Sequence, residues 1–395
     1  MLFPRLGPVA RVFGLLLLSA TTALPVTGQV APTGPTPASA SLASSNGRAL
    51  NLTAGTVGIS IGDSRRTTGL RLNDRDRRLQ VANGINLTLW RPYDEAGGVV
   101  HGAALGLPLT GGTHIRGLAT GLFGVGADGS LSGAGLAPIV LRAGRDMNGI
   151  HVSGIGAGAG RRVRGIVLGG LGAGAGEEAS GMLMGGLGAG TGGRATGLVL
   201  GGLGAGAGED ARGLLIGGLG AGAGESTTGI TVGLIVAGAG GSARGLLAGG
   251  VGAGTGTSIQ GVALSFGAIG AGRSIDGLAV GGLAAGAGNR LRGVAAGGLG
   301  VGAPTVEGVV VGGIGAGAEN LTGVSIAGGY VRLEGGVLRG VSVAGWNDIR
   351  GRQRGLTIGL YNYTRDLSGI QIGLLNVARN NPPGLRILPF VNANV

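Results

Sequence analysis

The sequence predicts an all-β protein, a glycine-rich β-solenoid of about 20 coils. Three observations predict it. From Gly133 to Gly293 a glycine opens a unit every sixteen residues. Inside each unit, apolar and small residues alternate with the period of a strand. Glycine accounts for 97 of the 395 residues, and each glycine inside a helix costs roughly 1 kcal/mol relative to alanine.

The units are nearly identical: GIVLGGLGAGAGEEAS, GMLMGGLGAGTGGRAT, GLVLGGLGAGAGEDAR and GLLIGGLGAGAGESTT follow one another from Gly165. The register continues outward with small slips, through Gly69, Gly84, Gly102 and Gly117 on one side and Gly308, Gly323, Gly340, Gly355, Gly369 and Gly384 on the other. We number each unit from its opening glycine. Positions 2 and 4 are apolar, 5 and 6 are usually Gly-Gly, 7 is usually Leu, Ile or Val, and 9 and 11 are small. Positions 13 to 16 hold most of the charge and hydroxyls, as in Glu209-Asp210-Ala211-Arg212.

This pattern reads as a short strand, a bend at Gly-Gly, a second strand and a polar corner. Positions 2, 4, 7, 9 and 11 are expected to point inward, with equivalent positions stacked about 4.8 Å apart. Position 3, often Val or Leu (Val167, Leu183, Val199, Leu215), is then expected to face out. Such an exposed apolar stripe needs a partner, a membrane or self-association.

The alternative is an outer-membrane antiparallel β-barrel, each unit forming one long strand. One face of that strand would be Leu198, Leu200, Gly202, Gly204, Gly206 and Gly208, half of it glycine, and the other face has no polar lumen residues. The alternation at the end of the chain (Ile387, Val391, Ala393, Val395) suits the final strand of a barrel.

Residues 1–28 read as a secretory signal peptide, with Arg5 and Arg11 before the apolar run Val12 to Ala20 and small residues before a cut at Gln29. Residues 29–50 are a Pro/Ala/Ser/Thr-rich linker. Residues 51–116 hold irregular N-terminal repeats and a cap, 117–307 the regular array, and 308–395 irregular C-terminal repeats and a cap. Trp90, Tyr93, Tyr330, Trp346, Tyr361, Tyr363 and Phe390 gather towards the two ends, where repeat arrays need atypical units to protect an open edge.

Little in the chain points to chemistry. There is no cysteine, so disulfides, thiolate metal sites and thiol nucleophiles are excluded. GxGxxG arises here from composition alone, and a phosphate-binding P-loop needs a lysine that the sequence lacks. Calcium-binding β-rolls carry aspartate where these units carry glycine. Glu177, Glu178, Glu209, Asp210 and Glu225 read as solvated turn residues. His101 and His114 fall near the ends of successive short units and read as a surface pair without a third ligand; His151 stands apart. Ser60 and Ser153 lack the strand–turn–helix context of a nucleophile elbow. The expectation is no catalytic residue, no cofactor, no metal and no evident small-molecule substrate.

One pattern has electrostatic content. All 30 basic residues are arginine against 18 acidic ones, a formal charge of +12. Arg116, Arg164, Arg212, Arg244 and Arg292 share the last position of the unit. They form a candidate edge for acidic polysaccharide or lipid phosphate. Nucleic-acid modules interleave aromatics with basic residues, and an array with so few aromatics argues against that partner. The bland reading is that arginine is the soluble corner residue of a lysine-free chain.

The most specific wording lies at the C-terminal end, where G-[LI]-x-I-G-L-x-N occurs twice, with Asn362 and Asn376 at the same place. This resembles bacterial surface-repeat proteins of the leptospiral type, whose units read GLxIGLxN. NGINLTLWRP followed by GxALGLPLTGG is similar to the N-terminal part of exported relatives. The resemblance spans most of 69–395 and is weakest in the middle, where glycine and alanine replace the asparagine. It implies export and a cell-envelope or surface role, and it brings no catalytic residues. The function expected is therefore a non-enzymatic, exported structural protein that presents a repetitive face for envelope association or self-association.

Overall fold

The computed structural model of the chain describes residues 49–90 and 97–394. The signal segment, nearly all of the linker and Tyr93 lie outside the described residues.

The architecture is a β-solenoid of about 19 turns with a period of about 16 residues, 78% strand and, among the described residues, no helix. Successive coils pair parallel and in register. Ile166 lies between Ile150 of the preceding coil and Met182 of the next, and Ala173 between Ala157 and Ala189. Parallel pairing between coils rules out the antiparallel barrel as the architecture of these strands. The chain divides between Glu209 and Asp210 into two compact units, and each is a stack of such coils.

A coil holds one longer and one shorter strand, as in Arg162–Gly169 and Gly172–Ala175. The longer strand bends at the opening glycine. Gly165 has φ +113°, and a Cβ there would sit 2.2 Å from the carbonyl oxygen of Gly149 one coil below. An L-side chain is excluded both by that conformation and by that contact. This column of left-handed glycines is why the period is so strict. The bend divides the coil into three short sides: positions 14 to 16, 2 to 5 and 8 to 11. Positions 14 to 16 therefore belong to a strand, and the polar quartet is not the corner expected from sequence.

The inward set also differs from the expected one. Positions 3, 5, 9, 11 and 15 point in, and positions 2, 4 and 7 point out. Val167, Leu183, Leu215 and Leu247 at position 3 are buried, as are Val163, Ile259, Ile275 and Leu291 at position 15. Leu171, Leu187 and Leu203 at position 7 are exposed by nearly half their surface. Positions 9 and 11 are inward as expected, filled by alanines such as Ala173 and Ala175. The reason is room. The coil is too tight to take two large side chains from one four-residue side. At Gly169, position 5, a Cβ would already meet the carbonyl oxygen of Gly172 at 1.9 Å. Positions 3 and 15 compensate each other: Leu183, Leu215 and Leu247 at 3 go with Ala179, Ala211 and Ala243 at 15, and Ile259, Ile275 and Leu291 at 15 go with Ala263, Ala279 and Ala295 at 3, as close packing of a narrow interior requires.

In each unit the coils towards the chain terminus have a polar interior, and an antiparallel strand closes the unit there. Ala49–Ala54 pairs antiparallel with Val57–Gly62, and Ile387–Asn394 with Tyr361–Ala378. The C-terminal alternation thus belongs to a closing strand. Near the N-terminal closure, Arg71 occupies position 3 and is fully buried. It pairs with Asp76, and it donates to Asn86 Oδ1 (2.9 Å) and Ser64 Oγ (3.0 Å). Near the C-terminal closure, Asn347, Asn362 and Asn376 form a buried ladder: Asn347 Nδ2 donates to Asn362 Oδ1 (2.8 Å), and Asn362 Nδ2 to Asn376 Oδ1 (2.7 Å). Asn362 also donates to the Ile372 carbonyl (2.9 Å). Buried polar groups satisfied in this way specify one register and one end.

Candidate functional surface

The three sides of the coil give each unit three chemically distinct outer surfaces. The side from 14 to 16 is polar. The side from 2 to 4, with the corner at 7, is apolar. The side from 8 to 11 presents mainly glycine.

On the polar side the charges alternate and pair between coils. Arg162 Nε lies 3.0 Å from Asp146 Oδ1, Arg161 Nε 3.5 Å from Glu177 Oε2, and Arg292 Nη2 2.9 Å from Glu307 Oε2. Asp146 holds the Arg162 guanidinium above its ordinary value through its hydrogen bond and its charge. These pairs are largely exposed and contribute little to stability.

The five arginines of the expected edge are exposed at position 16, beside the bend that begins the apolar side. In the unit up to Glu209, Arg116 lies between His101 and Ser132, and Arg164 between Asn148 and Ser180. In the unit from Asp210, Arg244 lies between Thr228 and Gln260, and Arg292 between Asp276 and Glu307. Arg212 neighbours Thr228. The column also contains Arg339, next to Thr322, and Arg354, next to Ser368, both exposed. Sequence reading missed them because the period slips after Gly293; their place before Gly340 and Gly355 was the available signal. Among the described residues, Arg292 is the one arginine of this column with an ion pair; Arg244 donates to Gln260 Oε1 (3.1 Å), and Arg212, Arg339 and Arg354 have neither.

The apolar side is continuous. From Gly213 onward, position 2 reads Leu214, Ile230, Leu246, Val262, Leu278, Val294, Val309, Val324, Val341, Leu356 and Ile370. Position 4 over the same coils is equally free of polar residues, and Leu264, Val280, Val311, Ile326 and Ile372 are exposed there. The corner adds Leu219, Leu283, Leu299 and Ile314, with Phe266 88% exposed one residue earlier.

On the third side, position 8 is glycine without steric need. A Cβ at Gly204 would meet nothing within 4 Å. In the last coils this column changes to aromatic: Gly315, Tyr330, Trp346 and Tyr361 lie in register. Trp346 and Tyr361 have ring centroids 4.5 Å apart, and Tyr330 and Trp346 are half exposed. These rings follow one another along the stack and do not lie across its end, as a cap would.

The remaining candidates are accounted for locally. His114 Nδ1 lies 2.8 Å from Ser130 Oγ, and its register partner is Val99, whereas His101 pairs with Arg116. His101 and His114 are thus on adjacent coils but offset by two residues. His151 is buried at position 3. Its Nε2 donates to the Asn148 carbonyl (3.1 Å) and its Nδ1 has no partner. Burial pushes its pKa below the ordinary value, against the pull of that carbonyl. Ser60 Oγ donates to Asn51 Oδ1 (2.7 Å) and Ser153 Oγ to the Ile139 carbonyl (2.8 Å). Among the described residues no three His, Asp or Glu side chains are grouped to hold a metal ion, and no helix is long and apolar enough to cross a membrane.

Compared with protein-family models, curated proteins and solved structures, the chain matches none.

Proposed function

We propose that this protein is an exported, non-enzymatic structural component of a bacterial cell envelope, whose apolar outer side docks onto an envelope surface or a second copy. One observation carries the reading: positions 2 and 4 point to solvent and yet are apolar in coil after coil. A soluble monomer gains nothing from such a strip. Contiguous exposed apolar surface of this kind marks interaction sites. The secretory pattern of residues 1–28 and the surface-repeat wording around Asn362 and Asn376 support export and an envelope location.

Expression of the full chain in a bacterial host, followed by cell fractionation and N-terminal sequencing, tests the reading. The expected product begins at Gln29 and is recovered with the envelope. An unprocessed chain that stays in the cytosolic fraction would overturn the proposal.

A further inference from the structure

Resting on that reading, we infer that the unit from Asp210 binds the surface of an anionic phospholipid membrane, lying on it with its apolar side down. Three features of this unit meet along one strip. The first is the strip itself, the outward columns 2 and 4 from Leu214 to Ile372. At about 3.3 Å per residue and 4.8 Å per coil, each coil adds roughly 60 Å². The whole strip therefore reaches or exceeds the largest apolar patch of a typical monomer.

The second feature is its charged border. The column at position 16, one residue before the bend that starts the strip, holds Arg212, Arg244, Arg292, Arg339 and Arg354, all exposed. Acids enter this column at Asp276 and Glu307, and Glu307 is taken up by Arg292. Among the described residues, Arg212, Arg339 and Arg354 have no ion pair. A guanidinium offers a planar fork to phosphate oxygens, and its apolar stem lies along apolar surface while the head reaches the headgroups.

The third feature is the opposite border. Just past the corner at position 7, the column that is glycine in earlier coils becomes Tyr330, Trp346 and Tyr361, in register and partly exposed, with the Trp346 and Tyr361 rings in tilted contact. Nothing in the coil demands large side chains there. Tyrosine and tryptophan favour the boundary between hydrocarbon and headgroups, where the ring is apolar and its polar tip is wet. Apolar strip, cationic rim and aromatic rim together are the composition of an interfacial element. A second copy would explain the strip but would leave the unpaired arginines and the aromatic column without a role.

Vesicle flotation of the full chain tests this, using phosphatidylcholine vesicles with and without 30 mol% phosphatidylglycerol. Binding to the anionic vesicles is expected, weakening as salt rises. Each arginine near an anionic surface corresponds to about a fivefold change in partitioning. The triple variant Arg212→Gln, Arg339→Gln, Arg354→Gln should therefore bind about a hundredfold more weakly, with its circular dichroism unchanged. In a Trp90→Phe background, Trp346 fluorescence should shift to the blue and be quenched by brominated lipid. Equal binding to both vesicle types, or binding untouched by the triple variant, would overturn the inference. So would a folded chain that forms dimers in solution and ignores both vesicles; that result leaves self-association, and the proposed function, standing. A folded monomer without affinity for either vesicle, which also leaves the envelope fraction of cells, would overturn both.

Discussion

Gly261 and Gly270 lie nine residues apart in one coil, and alanine at each should have opposite effects. Gly261 opens its coil with φ +125°, and a Cβ there would sit 2.3 Å from the Gly245 carbonyl oxygen. Holding a non-glycine residue in that conformation costs about 1–3 kcal/mol. The contact adds overpacking of about 1–3 kcal/mol, since a backbone oxygen has no rotamer through which to move away. Gly261→Ala should therefore lose about 2–6 kcal/mol. A Cβ on Gly270 would meet nothing within 4 Å. Gly270→Ala restricts only the unfolded chain and should gain about 0.4–1 kcal/mol. Guanidinium unfolding of the full chain, followed by circular dichroism, measures both. A Gly261→Ala protein within 0.5 kcal/mol of the parent, or equal losses at the two sites, would refute the bend at position 1 and with it the three-sided coil.

Leu246 and Leu247 test which way the side faces. Leu247 is 1% exposed, so Leu247→Ala should cost about 2–5 kcal/mol, while Leu246→Ala costs under about 1 kcal/mol; the reverse order in a denaturant titration would restore the inward set expected from sequence. Deleting Gly277–Arg292, one whole coil, should leave a cooperatively folded chain, whereas deleting eight residues from Gly277 should not, because the stack is a sum of nearest-neighbour interfaces; equal solubility and equal circular dichroism of the two deletions would count against the stacking. His151 is held neutral by burial, below its ordinary 6.5, so as pH falls through about 6.5 the unfolded chain takes up a proton that the folded chain refuses, and stability drops. His151→Val should remove that drop, seen as a smaller fall in melting temperature between pH 7.5 and 5.5; parallel falls would show that another group titrates. Asn362→Ala strips two donated bonds and an acceptor from the buried ladder and should cost about 2–4 kcal/mol, with hydrogen exchange quickening first in the C-terminal coils; unchanged protection there would refute the ladder as the closing device.

Much of the fold was legible because a period of sixteen is a geometric statement. Each coil must return the chain to the same place one strand spacing higher, so Gly165, Gly181 and Gly197 recur where only glycine fits. The facing of the side chains was not legible in the same way. Alternation has two phases, and the larger residues at 2, 4 and 7 suggested the wrong one. The bend at position 1 decides between them by shifting which side of the strand faces in; the opening glycine marks where the bend lies but not which phase it selects. The polar ends were partly visible. Asn362 and Asn376 stood out as repeated words, but Asn347, in AGWNDIR, joins them only because the strands bring it into register.

Composition and period alone carried the repeat, the all-β class and the arginines at position 16 of the regular coils. The outward facing of the apolar side, the arginines and in-register aromatics along its borders, and the polar ladders at the ends came from the folded coil. Those outcomes depend on the width of the coil interior, which a list of residues does not contain.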